Sequence, residues 1–144
     1  MAMQDENGLR KRIIEEMTVD YAGALEKNFD LAKQFIRVTK DGRIDILFKD
    51  KLTGEEQILL YMIGKLYAKE ASLIATDEVD NKELLDELGV PKGSLFPWLK
   101  SLRDSSKIKQ TKRGKYVNHS IPVNLVERTL QGIERKLKKS VSGD

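Results

Sequence analysis

The chain has no cysteine and a single histidine, His119, among its 144 residues. Without a thiol, disulfide frameworks, thiolate nucleophiles and cysteine-based zinc sites are excluded. With one imidazole, histidine-rich metal sites and two-histidine acid–base chemistry are excluded too, and only carboxylate sites remain formally open. Long apolar runs are also missing: none approaches the roughly 18–20 residues that span a bilayer. Residues 1–7 are polar and acidic, unlike a secretory signal, so the expectation is a cytoplasmic protein without a membrane partner. No nucleophile, base and orienting group can be assembled, so neither enzymatic activity nor a cofactor or metal is expected. Proline is scarce at three residues, and Pro91, Pro97 and Pro122 are therefore informative punctuation. At this length one hydrophobic core can form without staples.

What the chain does have is charge, 34% of its residues, with a net of only +3. The distribution is uneven. Residues 1–50 carry 9 cations and 10 anions (net −1), residues 51–90 carry 4 and 9 (net −5), and residues 91–144 carry 13 and 4 (net +9). Between Lys92 and Lys115 stand eight cations, Lys92, Lys100, Arg103, Lys107, Lys109, Lys112, Arg113 and Lys115, against one anion, Asp104. An acidic half followed by a basic half points to a polyanionic partner for the second half; a solvated surface is the bland alternative.

Apolar spacing organises the chain. Leu9, Ile13, Met17, Tyr21, Leu25, Phe29, Ala32 and Ile36 fall at helical intervals, which predicts one bent helix or two, with Thr18 and Asp20 able to cap a restart. Ile36, Val38, Ile44 and Ile46 then alternate around Lys40-Asp41-Gly42-Arg43, predicting a hairpin with a type I′ turn. Thr53-Gly54-Glu55-Glu56 fits a capping box before an amphipathic helix running to about Ser72 with Ile58, Leu59, Met62, Ile63, Leu66 and Tyr67 inward. After a loop to Val79, Asp80-Asn81-Lys82-Glu83 repeats the capping pattern ahead of a short helix that buries Leu84, Leu85 and Leu88 and stops at Gly89. Leu95, Trp98, Leu99 and Leu102 form one face of a third helix. Residues 108–111 and 116–119 read as strands joined by Lys112-Arg113-Gly114-Lys115. Pro122 precedes a last helix, expected to about Lys138, with Leu125, Val126, Thr129, Leu130, Ile133 and Leu137 inward.

The segment Val79 to Leu102 resembles the bihelical unit of the winged helix-turn-helix superfamily. It shares a polar N-cap, Glu-Leu at the third and fourth helical positions, Leu-Gly-Val at the turn and a later Leu-x-x-x-Leu-x-x-Leu spacing. The stretch Leu52 to Ala71, with the Phe35 to Phe48 hairpin before it, also looks like a small group of archaeal winged-helix proteins without an assigned role. The fold class expected is therefore mainly α with small β elements, a winged helix-turn-helix preceded by an N-terminal helix and a short hairpin. Its parts would be an appendage at residues 1–50, the winged-helix domain at 51–139 and a disordered tail at 140–144.

The resemblance implies that the third helix enters the major groove of double-stranded DNA while the wing touches backbone or minor groove. Lys92, Ser94, Lys100 and Arg103 would donate to phosphates or bases, and Lys112, Arg113 and Lys115 would form a cationic wing tip. The function implied is transcriptional regulation. Phe96 and Pro97 depart from the polar residues usual on a recognition helix. Pro97 either kinks a helix that starts near Pro91 or lies in the first turn of one capped by Ser94. Such a pair also suits an apolar partner, so the alternative function is a protein–protein interaction module in a larger complex, with Phe96 and Pro97 as contacts.

Other features have plainer readings. Trp98 belongs with the core leucines rather than with a stacked base, and His119 reads as a strand-end residue rather than a catalyst. Asp77-Glu78-x-Asp80 lacks the spacing and glycine of a calcium loop, and Gly64-Lys65-Leu66 lacks the hydroxyl and the first glycine of a phosphate loop. The Tyr21, Leu25, Phe29 stripe either folds back on the domain or forms the seam of a homodimer.

Overall fold

In the computed structural model, which describes residues 8–18 and 20–142, residues 8–12 are helical and pass into a widened π-type turn, Ile13–Met17. Helices α1 (Tyr21–Lys27) and α2 (Phe29–Ala32) follow, then strands β1 (Ile36–Val38) and β2 (Ile44–Ile46) and a 3-10 turn, Lys49–Lys51. Helix α3 (Gly54–Glu70), strand β3 (Val79–Asp80), helices α4 (Asn81–Leu88) and α5 (Lys92–Asp104) and strands β4 (Lys109–Arg113) and β5 (Tyr116–Ser120) come next. A 3-10 turn, Val123–Leu125, leads into α6 (Val126–Ser142). The protein is mainly helical with two small antiparallel sheets, β1–β2 and β3–β5–β4.

The Thr53 capping box forms in full: Glu56 N donates to Thr53 Oγ1 at 3.1 Å and Thr53 N donates to Glu56 Oε1 at 2.8 Å. The helix it starts is not the one-sided amphipath expected. From Ile58 to Leu66 every residue of α3 is buried, because the hairpin, α1, α4, α5 and α6 all pack around it. Gly64 lets the hairpin approach: a Cβ there would lie 2.4 Å from Ile44 Cγ2. Gly54 does the same for Trp98, whose ring would meet a Cβ at 2.4 Å. One continuous core therefore includes Leu25, Ala32, Phe35, Ile36, Ile44 and Ile46 together with residues from Leu52 to Ile133. The boundary expected near residue 50 does not divide that core.

The stretch from residue 9 to 36 is broken more often than its spacing predicts. Thr18 does not cap a restart; its hydroxyl donates back to the Ile14 carbonyl. Asp20 occupies the N-cap of α1 without a side-chain bond. Asn28 breaks the helix again, its amide donating to Ala24 O at 2.8 Å in competition with the backbone. Ile36, in phase with the helix, belongs instead to β1, where it pairs with Ile46.

The β1–β2 turn is also not type I′. Only Gly42 takes a positive φ, 88°, while Thr39 N donates to Arg43 O at 2.9 Å and Gly42 N to Thr39 O at 3.0 Å. That is a three-residue loop whose left-handed position falls on the one residue without a Cβ. In the second sheet, β4 and β5 close on Arg113 and Tyr116, with Gly114 left-handed at φ 63° as the first of two loop residues. Strand β3, which the sequence reads as loop, pairs Val79 with His119 and Asp80 with Asn118.

Helix α5 begins at Lys92 with Pro91 as its N-cap, so Ser94 is not the cap and Pro97 lies within the helix, past its first turn. Of the two expected starts, the one near Pro91 is found and the later one capped by Ser94 is not, so the helix has 13 residues. Helix α6 continues past Lys138 to Ser142, so the tail expected from residue 140 begins in helix, and residues 143–144 lie outside the described residues.

Candidate nucleic-acid interface

Leu95, Leu99 and Leu102 are fully buried and anchor α5, with Trp98 packed partly buried beside them. This fixes which side of the helix faces out: Gly93, Phe96, Pro97, Lys100, Ser101 and Asp104 are exposed. Lys92 is exposed at the first position, whereas Ser94 and Arg103 are half-buried on the flanks. Lys100 is not a free cation; its Nζ lies 2.9 Å from Asp104 Oδ2, one turn on. The outward face of α5 is thus poorer in available charge than its sequence implies, and Phe96 is 47% exposed at its centre.

The hairpin β4–β5 presents Lys112, Arg113 and Lys115 to solvent. Arg113 is tethered: its guanidinium donates to Glu78 Oε1 at 3.1 Å, and Asn118 Nδ2 donates to the other carboxylate oxygen at 3.3 Å. Strand alternation explains the meeting, since Arg113, Thr111, Asn118 and Asp80 share one face of the sheet. The opposite face carries Val79 and His119 into the core. Among the described residues, Lys92, Lys107, Lys109, Lys112 and Lys115 make no ion pair. Sequence spacing does not mark Tyr116, which is 69% exposed next to the tip. Its pairing with Arg113 at the end of the hairpin is the signal that places an aromatic beside the cations.

The acidic motifs resolve into separate tasks. Asp77 pairs with Lys69 at 3.7 Å, Glu78 holds Arg113, and Asp80 Oδ1 accepts from Glu83 N at 2.8 Å as the α4 cap. The reciprocal half of that expected capping box is absent, because Glu83 turns toward α3 and accepts from Lys65 Nζ at 2.9 Å. Lys65 is mid-helix and buried. Among the described residues no three His, Asp or Glu side chains gather into a metal site, and no helix is long and apolar enough to cross a membrane.

His119 is 1% exposed, and its Nε2 donates to Asn81 Oδ1 at 2.8 Å. Burial, then the nearby Arg103 charge, hold its pKa below the usual imidazole range. It is a neutral core residue that ties β5 to the start of α4.

No protein-family model matches the chain, and no curated protein and no solved structure matches it.

Proposed function

We propose that this protein is a winged helix-turn-helix DNA-binding protein that regulates transcription by binding rather than catalysis. The order helix α3, strand β3, helix α4, helix α5 and hairpin β4–β5, with β3 beside β5 in one sheet, supports the fold assignment. In this reading α5 lies in the major groove of duplex DNA and the β4–β5 hairpin is the wing.

The observation that carries the reading is the run of exposed lysines without carboxylate partners among the described residues: Lys92 at the start of α5, and Lys107, Lys109, Lys112 and Lys115 along and beside the wing. Ammonium groups on phosphates supply affinity without sequence information. Base discrimination is weak in this reading, because the face of α5 that would meet base edges carries Phe96 and Pro97 and a lysine already bound to Asp104.

A duplex titration followed by fluorescence anisotropy tests this. With about four phosphates neutralised, log Kobs should fall with log salt at a slope of about −4. The Lys112→Ala/Arg113→Ala/Lys115→Ala variant should bind more weakly and with a slope shallower by about 2 to 3. Absence of duplex binding at ~50 mM salt, or an unchanged slope in the variant, defeats the proposal.

One observation favours the second reading, a protein-interaction module: Phe96 is 47% exposed beside the exposed Pro97. Under that reading Phe96→Ala abolishes capture of a protein partner and leaves duplex binding intact.

A further inference from the structure

Two apolar surfaces on this chain face solvent and complement each other. The first is the helix of residues 8–17. Leu9, Ile13, Ile14 and Met17 lie on one side of it and are 58%, 40%, 58% and 78% exposed, and no residue of the helix is buried. The second is a groove of about 520 Å³ beside α1, with Leu25, Phe29, Val38, Tyr67 and Leu73 in its walls and Glu26 and Glu70 among its lining residues. Phe29 is 49% and Leu73 37% exposed there.

Their charges match as well. Arg10 and Lys11, in the first turn of the helix, are exposed and make no ion pair among the described residues, and the same holds for Glu26 and Glu70; the helix's own carboxylates, Glu15 and Glu16, lie in its second half, where Glu16 pairs with Arg12. Within one chain the two surfaces do not meet. Thr18 closes the helix through bonds to Ile13 O and Ile14 O and leaves it in an extended conformation, φ −89° and ψ 148°.

We infer that the helix of residues 8–17 docks into the α1 groove of a second copy of this chain, which receives the first copy's helix in return. Such an exchange is isologous: two identical contacts related by a two-fold axis close the dimer and leave no groove unfilled. Doubling matters, because a ten-residue helix by itself covers less area than stable interfaces bury. The dimer stands whether or not α5 and the wing bind DNA.

Sedimentation equilibrium on the full chain tests it with two charge reversals, Arg10→Glu/Lys11→Glu on the helix and Glu26→Lys/Glu70→Lys at the groove. All four residues are exposed, and circular dichroism checks that each variant keeps the fold. The wild type should be a dimer, and each reversal should raise the dissociation constant by at least about tenfold. An equimolar mixture of the two variants should recover wild-type strength, since both contacts of the heterodimer then pair opposite charges while each homodimer sets like against like. A wild type that stays monomeric at submillimolar concentration overturns the inference, whether its helix lies on its own groove or cosediments with anionic vesicles. So does a mixture that fails to recover.

Discussion

Glu83 Oε2 accepts hydrogen bonds from Lys65 Nζ at 2.9 Å and from the Tyr61 hydroxyl at 2.6 Å, clamping α4 to α3. The Lys65 side chain is only 9% exposed and that of Glu83 31%. The two ends of the clamp are therefore unequal. Removing the carboxylate by Glu83→Ala strands an ammonium in the core and should cost about 3 kcal/mol, the lower end for one-sided loss of a buried pair. Lys65→Met should cost less, because the freed carboxylate reaches solvent and keeps Tyr61 while methionine fills the space of the lysine stem. Urea unfolding of both variants gives the comparison; equal losses would show that the asymmetry in burial is immaterial.

His119 should make the fold acid-sensitive. Its pKa is lowered in the folded state by burial and by Arg103, and its Nδ1 has no hydrogen-bond partner to receive a proton's charge. Because the unfolded chain then takes up a proton that the native state refuses, stability is fully present above about pH 6.5 and declines as pH falls below it. Carboxylates add their own acid loss, so the measurement is a difference: the urea midpoint should drop further for the wild type than for His119→Gln between about pH 7.5 and 5.5.

At the alkaline end the tyrosines act. Burial pushes Tyr67 up to about 12, burial and then the Asp77 and Glu70 charges push Tyr21 up to about 12, and burial followed by the Glu83 hydrogen bond raises Tyr61 further. Their hydroxyls hold Leu25 O, at 2.6 Å from Tyr67, and Leu66 O, at 3.2 Å from Tyr21. The unfolded chain releases these protons first, so stability is present below about pH 10 and is lost as pH rises above it. Tyr67→Phe should lower stability at neutral pH and make the alkaline decline shallower by one proton, read from urea midpoints between about pH 9 and 11.5.

Gly64→Ala probes whether residues 36–46 belong to the core. The added Cβ would sit 2.4 Å from Ile44 Cγ2 and 3.2 Å from Ile36 Cγ2, both in the hairpin. Helix propensity alone favours alanine by about 1 kcal/mol. Overpacking should reverse the sign and destabilise by about 1–3 kcal/mol. A variant more stable than the wild type would show the hairpin to be a loosely attached flap.

Pro97 withholds a backbone donor from the Gly93 carbonyl inside α5. Pro97→Ala should therefore raise the melting temperature, by a few degrees for each recovered kcal/mol. If duplex binding falls while stability rises, proline serves the outward face of α5; if both are unchanged, the helix has already absorbed the cost.

Local chemistry was legible wherever neighbouring residues satisfy each other. The Thr53–Glu56 box, the Asp80 cap, the Gly89 stop, the leucine face of α5 and the cationic hairpin tip all follow from spacing over a few residues. Some departures are local, at Thr18, Asn28 and the Gly42 turn, but the others depend on partners far along the chain. Strand β3 is two residues long and exists only because Val79 and Asp80 meet His119 and Asn118 of β5. The Glu83 side chain reaches Lys65 instead of its local cap, and Arg113, though exposed, is tethered to Glu78, because folding brings residues 18 and 35 positions apart within hydrogen-bond reach. The candidate site divides the same way.

The sequence by itself determined that the positive charge lies in the last third of the chain, and covalent order alone guarantees that the α5 start and the hairpin tip share it. Only the tertiary structure decided that Arg113 is engaged. An ion pair needs two side chains within about 4 Å; between Lys100 and Asp104 one turn of α5 supplies that distance, whereas between Arg113 and Glu78 it is set by the packing of the β3–β5–β4 sheet. Lys100 and Arg113 are engaged, whereas Lys92, Lys112 and Lys115 make no ion pair among the described residues.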